Sequence, residues 1–137
     1  MTDHSAPLLS ARGLRLSYGD TRALDGVDLD LLPGERVAVM GASGSGKSSL
    51  LHCLAGVVRP QQGEVRFRGE RVDDRSEAAR SALRLTSLGM VFQFGDLVPE
   101  LTLLENVMLP LQLTGRRREA RPAALELMER LGVAHVA

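Results

Sequence analysis

The stretch Gly41-Ala42-Ser43-Gly44-Ser45-Gly46-Lys47-Ser48 sets glycines, a lysine and a hydroxyl at the spacing G-x-x-x-x-G-K-[ST]. Such a run suits the grip of phosphate. Glycines let the backbone curl at torsions a side chain would forbid, so that successive N–H groups point inward. A helix beginning near Lys47 would add unsatisfied N–H groups and the positive end of its dipole. Lys47 then reaches the outer phosphates, while the Ser48 hydroxyl is placed to ligate a Mg²⁺ bridging them, with Ser49 next in the same first turn. Composition sharpens the pattern: seventeen residues are basic, and Lys47 is the only lysine among them. A chain that otherwise uses arginine puts its one compact, flexible cation in the glycine-rich turn.

The elements around this turn must hold it open. Val37 to Met40 is continuously apolar, so Arg36 to Met40 predicts a short strand covered on both faces. Ser48 to Ala55 predicts a helix with Leu50, Leu51, Leu54 and Ala55 on a common side, stopped by Gly56. Upstream, Leu14, Leu16 and Tyr18 alternate with polar residues, as do Val27, Leu29 and Leu31. Both segments predict half-exposed strands, with a turn at Pro33-Gly34 before the next one.

Downstream, GEVRFRGERV predicts a strand and hairpin with Val65 and Phe67 on one face, and Ser76 to Leu85 an exposed helix. Leu88 to Phe92 predicts a second buried strand ending at Gln93. Thr102-Leu103-Leu104-Glu105 fits a capping box, followed by Leu104, Val107, Met108 and Leu111 at helical spacing; Pro110 should kink or end that helix. A last helix, Arg118 to Leu131, should turn Ala124, Leu127, Met128 and Leu131 inward. This order predicts an α/β domain with a small β appendage.

Bulk properties set limits. The chain has 137 residues and a formal net charge of zero, which gives no overall electrostatic case for nucleic acid or anionic lipid. Cys53 is the single cysteine, in keeping with a reducing cytoplasm, and is read as a small buried hydrophobe. No apolar run approaches the ~18 residues needed to cross a bilayer, and the N-terminus lacks the pattern of a secretory signal. Asp96 and Glu100 read as solvated loop charges, and Arg116 to Arg118 as an exposed helix start rather than an anion site. His52 reads as a surface or helix-packing residue; His4 and His135 carry no signal.

From LSYGDTRALDGVDLDLLPGERVAVMGASGSGKSSLLHCLAGVVRPQQGEVRFRGERV onward, the chain resembles the ATP-binding subunit of ABC transporters. The later LVPELTLLENVMLPL is similar to the branch that serves lipoprotein-release, macrolide-export and FtsX-like permeases. The resemblance implies a P-loop NTPase with an N-terminal antiparallel β subdomain and a parallel core sheet. It implies ATP and Mg²⁺ as ligands, with Gly41 to Ser49 around the phosphates. Tyr18 falls where the family stacks an aromatic on adenine. Gln93 falls where the family's glutamine contacts Mg²⁺ and the attacking water, which pairs it with Ser48 as a metal contact and with Lys47 as a catalytic group. Read from the strand pattern alone, Tyr18 would instead pack on an apolar face with Leu14 and Leu16.

The partners implied are a membrane permease of FtsX or MacB-like type and a second ATPase subunit arranged head to tail. The location implied is cytoplasmic, at the inner face of the membrane through the permease; no nucleic acid is implied. The family's apolar strand ending in Asp-Glu, its Leu-Ser-Gly-Gly-Gln signature and its switch histidine do not occur in these residues. Residues 1–137 therefore read as one ABC-type domain ending before the signature and Walker B motifs, with an incomplete parallel sheet and poor solubility when isolated. Two other functions compete. One is a non-catalytic fragment that at most binds nucleotide. The other is a P-loop small-molecule kinase with Arg116 to Arg118 as a lid, disfavoured because a strand hairpin follows the cradle helix where an acceptor site is needed.

Overall fold

The computed structural model describes residues 6–136. The chain divides into two compact units, residues 1–84 and 85–137. The first holds a four-stranded antiparallel sheet in the order β2-β1-β3-β4, made of β1 (Leu9–Tyr18), β2 (Thr21–Leu31), β3 (Gln62–Phe67) and β4 (Glu70–Arg71). Helix α1 (Lys47–Leu54) packs against β1 and β2. Helix α2 (Glu77–Ser87) begins in this unit.

The inward face of β1 carries Ala11, Leu14 and Leu16, which breaks a strict period of two. The pairing register with β2 slips between Ala11 and Leu14, where Gly13 has φ +58° and donates its N–H to the Asp28 carboxylate at 2.6 Å. The inserted residue moves the buried face from odd to even positions. A further slip between Leu16 and Ser17 leaves Tyr18 53% exposed at the end of the strand. The core-packing reading of Tyr18 is thereby set aside.

Val65 and Phe67 of β3, Val72, Leu24 of β2, and Leu50, Cys53 and Leu54 of α1 are buried in the same unit. Burial pushes the Cys53 thiol up to about 11, which keeps it protonated and inert at neutral pH. The β3–β4 hairpin turns through Arg68 at φ +52° and Gly69 at φ +81°, the left-handed pair that matches strand twist in a tight hairpin.

Asp73, 6% exposed, anchors that hairpin by accepting the Val65 N–H at 2.8 Å and the Arg71 guanidinium at 2.9 Å. Burial by itself would raise its pKa. The Arg71 and Val65 hydrogen bonds outweigh burial and hold the carboxyl below its usual 3.8. A depressed folded-state value stabilises the fold fully above pH 3.8 and progressively less as pH falls through the folded value. Asp73→Ala should cost about 1–3 kcal/mol near neutral pH by orphaning the Val65 N–H. In urea titrations the gap between parent and variant should narrow below pH 3.8; a gap independent of pH would contradict the ionised form.

The second unit is built on α3 (Leu103–Leu113) and α4 (Arg117–Arg130), followed by a short 3₁₀ turn at Ala134–Val136. The expected capping box is present: Glu105 N–H donates to Thr102 Oγ1 at 3.2 Å, and the Glu105 carboxylate accepts the Thr102 N–H at 2.8 Å. Pro110 lies inside α3, which ends three residues later. Leu104, Ala124 and Met128 form the buried centre, with Val107 and Met108 packed against it.

The inward stripe of α4 differs from expectation. Ala120, Ala124 and Met128 are buried, whereas Leu127 and Leu131 are 42% and 67% exposed. Repeats of four residues keep a narrow contact line against a single partner helix, so the wider stripe reaches solvent.

Two expected strands do not form. Arg36 to Met40 and Leu88 to Phe92 are irregular, with Met40 89% and Val91 fully exposed. An apolar run becomes a strand only when a neighbour completes its hydrogen-bond ladder. Among the described residues the only sheet is the antiparallel one, and it pairs with neither segment. The parallel core sheet is accordingly missing from this structure.

Candidate nucleotide-binding site

The glycine-rich turn leads directly into α1, as its residues dictate. Ser45 N–H closes a turn on the Ala42 carbonyl at 3.1 Å, and Gly44 and Gly46 take φ of +76° and +94°. Gly46 is also the N-cap of α1, and no side chain caps the helix start. The first turn contains no acidic residue, so its N–H groups and dipole face no competing anion from their own helix.

Close approach makes Gly46 obligatory, whereas a Cβ on Gly41 would meet only the rotatable Ser45 hydroxyl. A Cβ on Gly46 would lie 2.1 Å from the Ala23 carbonyl oxygen of β2, and one on Gly41 would lie 2.7 Å from Ser45 Oγ. The turn is thus seated on β2, next to Leu24, whose cross-strand partner is Leu16. Tyr18 pairs with Thr21 at the end of that same β1–β2 hairpin.

Lys47 folds back over the loop. Its Nζ donates to the Gly41 carbonyl at 2.8 Å, the Ala42 carbonyl at 2.6 Å and Ser45 Oγ at 3.2 Å. Among the described residues no carboxylate pairs with it. A cation held only by neutral oxygens inside a ring of backbone amides fits an incoming polyanion well, because charge-assisted bonds are about twice as strong as neutral ones. Ala42, Ser43 and Ser48 are exposed, and Ser49 is half-buried.

The family model described as ABC transporter matches residues 24–137. The chain belongs to the ABC transporter family. This ABC-family chain is 48% identical to the lipoprotein-releasing system ATP-binding protein LolD 2 of Caulobacter vibrioides, covering 96% of the chain and 60% of that protein. It is 44% identical to LolD of Xanthomonas oryzae, covering 97% of the chain and 57% of that protein. It therefore spans somewhat more than half the length of these relatives. Among solved structures it resembles the ATP-binding cassette MJ0796 in a dimeric post-hydrolysis state bound to ADP and Pi. The TM-score is 0.80 at 34% identity, over 88% of this chain and 56% of that one. The fold is accordingly that of an ABC nucleotide-binding domain.

The structure brings Gly41 to Ser49 together as one cradle and places Tyr18 in the same unit. Gln93 belongs to the second unit, exposed in an irregular segment. Sequence reading missed three residues that shape this ABC-family chain. Asn106 ties the segment before α3 to the helix: its Oδ1 accepts the Val98 N–H at 2.7 Å, and its Nδ2 donates to the Val98, Leu101 and Thr102 carbonyls. Asparagine inside a helical run is the signal that was available, since it prefers caps and turns. Arg80 of α2 is 7% exposed and lies along Gly56, while Arg84 donates to the Gly56 carbonyl at 2.6 Å. These arginines sit where α1 ends, and nothing in an exposed-looking helix pattern marks them.

Proposed function

We propose that this chain binds ATP as the nucleotide-binding part of an ABC transporter subunit that works on a membrane permease. The observation that carries the reading is the cradle: a glycine, Gly46, that tolerates no Cβ, an uncapped helix start, and a lysine with no carboxylate partner among the described residues. Its likeness to a cassette bound to ADP and Pi and to LolD proteins supports the same ligand and role.

On this reading the amides of residues 41–48 receive the β- and γ-phosphates. Lys47 exchanges its loop carbonyls for phosphate oxygens, and Tyr18 offers its exposed ring to the adenine. Ser48 would help hold Mg²⁺, which would supply charge neutralisation at the phosphates. Hydrolysis and transport belong to the whole subunit, as a head-to-tail dimer at the cytoplasmic side of its permease, of FtsX or MacB-like type. No helix among the described residues is long and apolar enough to cross a membrane.

Calorimetric titration with Mg-ATP tests this directly. Parent chain should bind, and Tyr18→Ala should weaken binding by about 1–2 kcal/mol, the scale of base–aromatic stacking. Because Tyr18 is half exposed, the variant's urea midpoint should hardly move. An unchanged affinity would remove Tyr18 from the site, and no heat from folded parent would remove the site itself.

A further inference from the structure

At the junction of α3 and α4, Arg116, Arg117, Arg118 and Arg121 crowd into six residues with Glu119 as the only carboxylate. All four arginines are exposed. Arg116 is ion-paired with Glu119, and among the described residues Arg117, Arg118 and Arg121 have no carboxylate partner. Arg121 lies four residues from Arg117 and three from Arg118, spacings at which like charges repel across a helix surface. Leu113, the last residue of α3, is 65% exposed beside them, with the Thr114-Gly115 turn between. The chain as a whole is neutral, so this charge is local and unbalanced.

We propose that this α3–α4 corner is a contact surface for anionic phospholipid. The arginines would lie among headgroup phosphates, with Leu113 inserted at the acyl boundary. Three unpaired arginines near an exposed aliphatic side chain suit an anionic bilayer surface: charge supplies the attraction and the apolar side chain the anchorage. Arginine suits the role further because its planar fork meets phosphate oxygens two at a time. The corner is built from exposed residues away from the buried Leu104, Ala124 and Met128, so it can be altered without unmaking the helical pair. None of these residues belongs to the cradle.

Sedimentation of the full chain with phosphatidylcholine vesicles, with and without phosphatidylglycerol, tests the proposal. Binding should require phosphatidylglycerol and fall steeply with added salt. Arg117→Gln/Arg118→Gln/Arg121→Gln should weaken it by roughly a hundredfold, at about fivefold per arginine, with circular dichroism unchanged. Leu113→Ser should weaken it less, leaving the salt dependence in place. Equal binding to neutral vesicles, undiminished binding by the triple variant, or retention by duplex DNA without any vesicle binding would each overturn the assignment.

Discussion

Gly46→Ala should destabilise the first unit by about 2–5 kcal/mol. Two costs combine. The residue sits at φ +94°, where an L side chain costs about 1–2 kcal/mol. Its Cβ would also stand 2.1 Å from the Ala23 carbonyl, forcing the turn off β2 at about 1–3 kcal/mol, the usual range for overpacking. Gly44→Ala separates the two. Gly44 has φ +76° but nothing within 4 Å of the added carbon, so only the conformational cost of about 1–2 kcal/mol applies. Urea unfolding followed by circular dichroism reads both. Equal losses for the two variants would show that the turn does not rest on β2.

Lys47→Ala should lower affinity for Mg-ATP by roughly ten- to a hundredfold, since hydrogen bonds to charged groups contribute about 1.5–3 kcal/mol. The loop also loses its internal tie to the Gly41 and Ala42 carbonyls, so part of the loss is order in the free protein. Lys47→Arg should fail to restore binding despite its charge, because a wide fork cannot sit over two adjacent carbonyls inside the turn as the compact ammonium does. Calorimetry on all three forms decides it. Parent-like affinity in Lys47→Ala would mean the ammonium never leaves its carbonyls.

These two residues also show how far the sequence could be read. Lys47 stands out as a candidate phosphate ligand because a short motif carries its own geometry: glycines, helix start and cation lie within eight residues. The capping box at Thr102 and the turns at Pro33-Gly34 and Gly56 were legible for the same reason, since their partners lie three to five residues away. The necessity of Gly46 has a different source. The motif names a glycine there, but the atom that forbids a side chain is the Ala23 oxygen, on a strand twenty-odd residues earlier.

Strand register behaves likewise. Alternation placed Leu14, Leu16 and Tyr18 on one face, and pairing with β2 released Tyr18 from it. In α4, helical spacing marked an apolar stripe, yet the line of contact with α3 decided that Ala120 is buried and Leu127 is not.

Taken alone, the order of residues determined the family, the glycine-rich turn into α1 and the presence of the four α-helices, because the turn and helices depend on interactions that close within a few positions along the chain. Tertiary structure decided what depends on distant neighbours: that Arg36 to Met40 and Leu88 to Phe92 join no strand, that Asp73 and Arg80 are buried, and that Tyr18 stands clear of the core. A hydrogen-bond ladder or a buried charge needs a partner brought from elsewhere in the fold, and hydrophobicity in a short window cannot say whether that partner arrives.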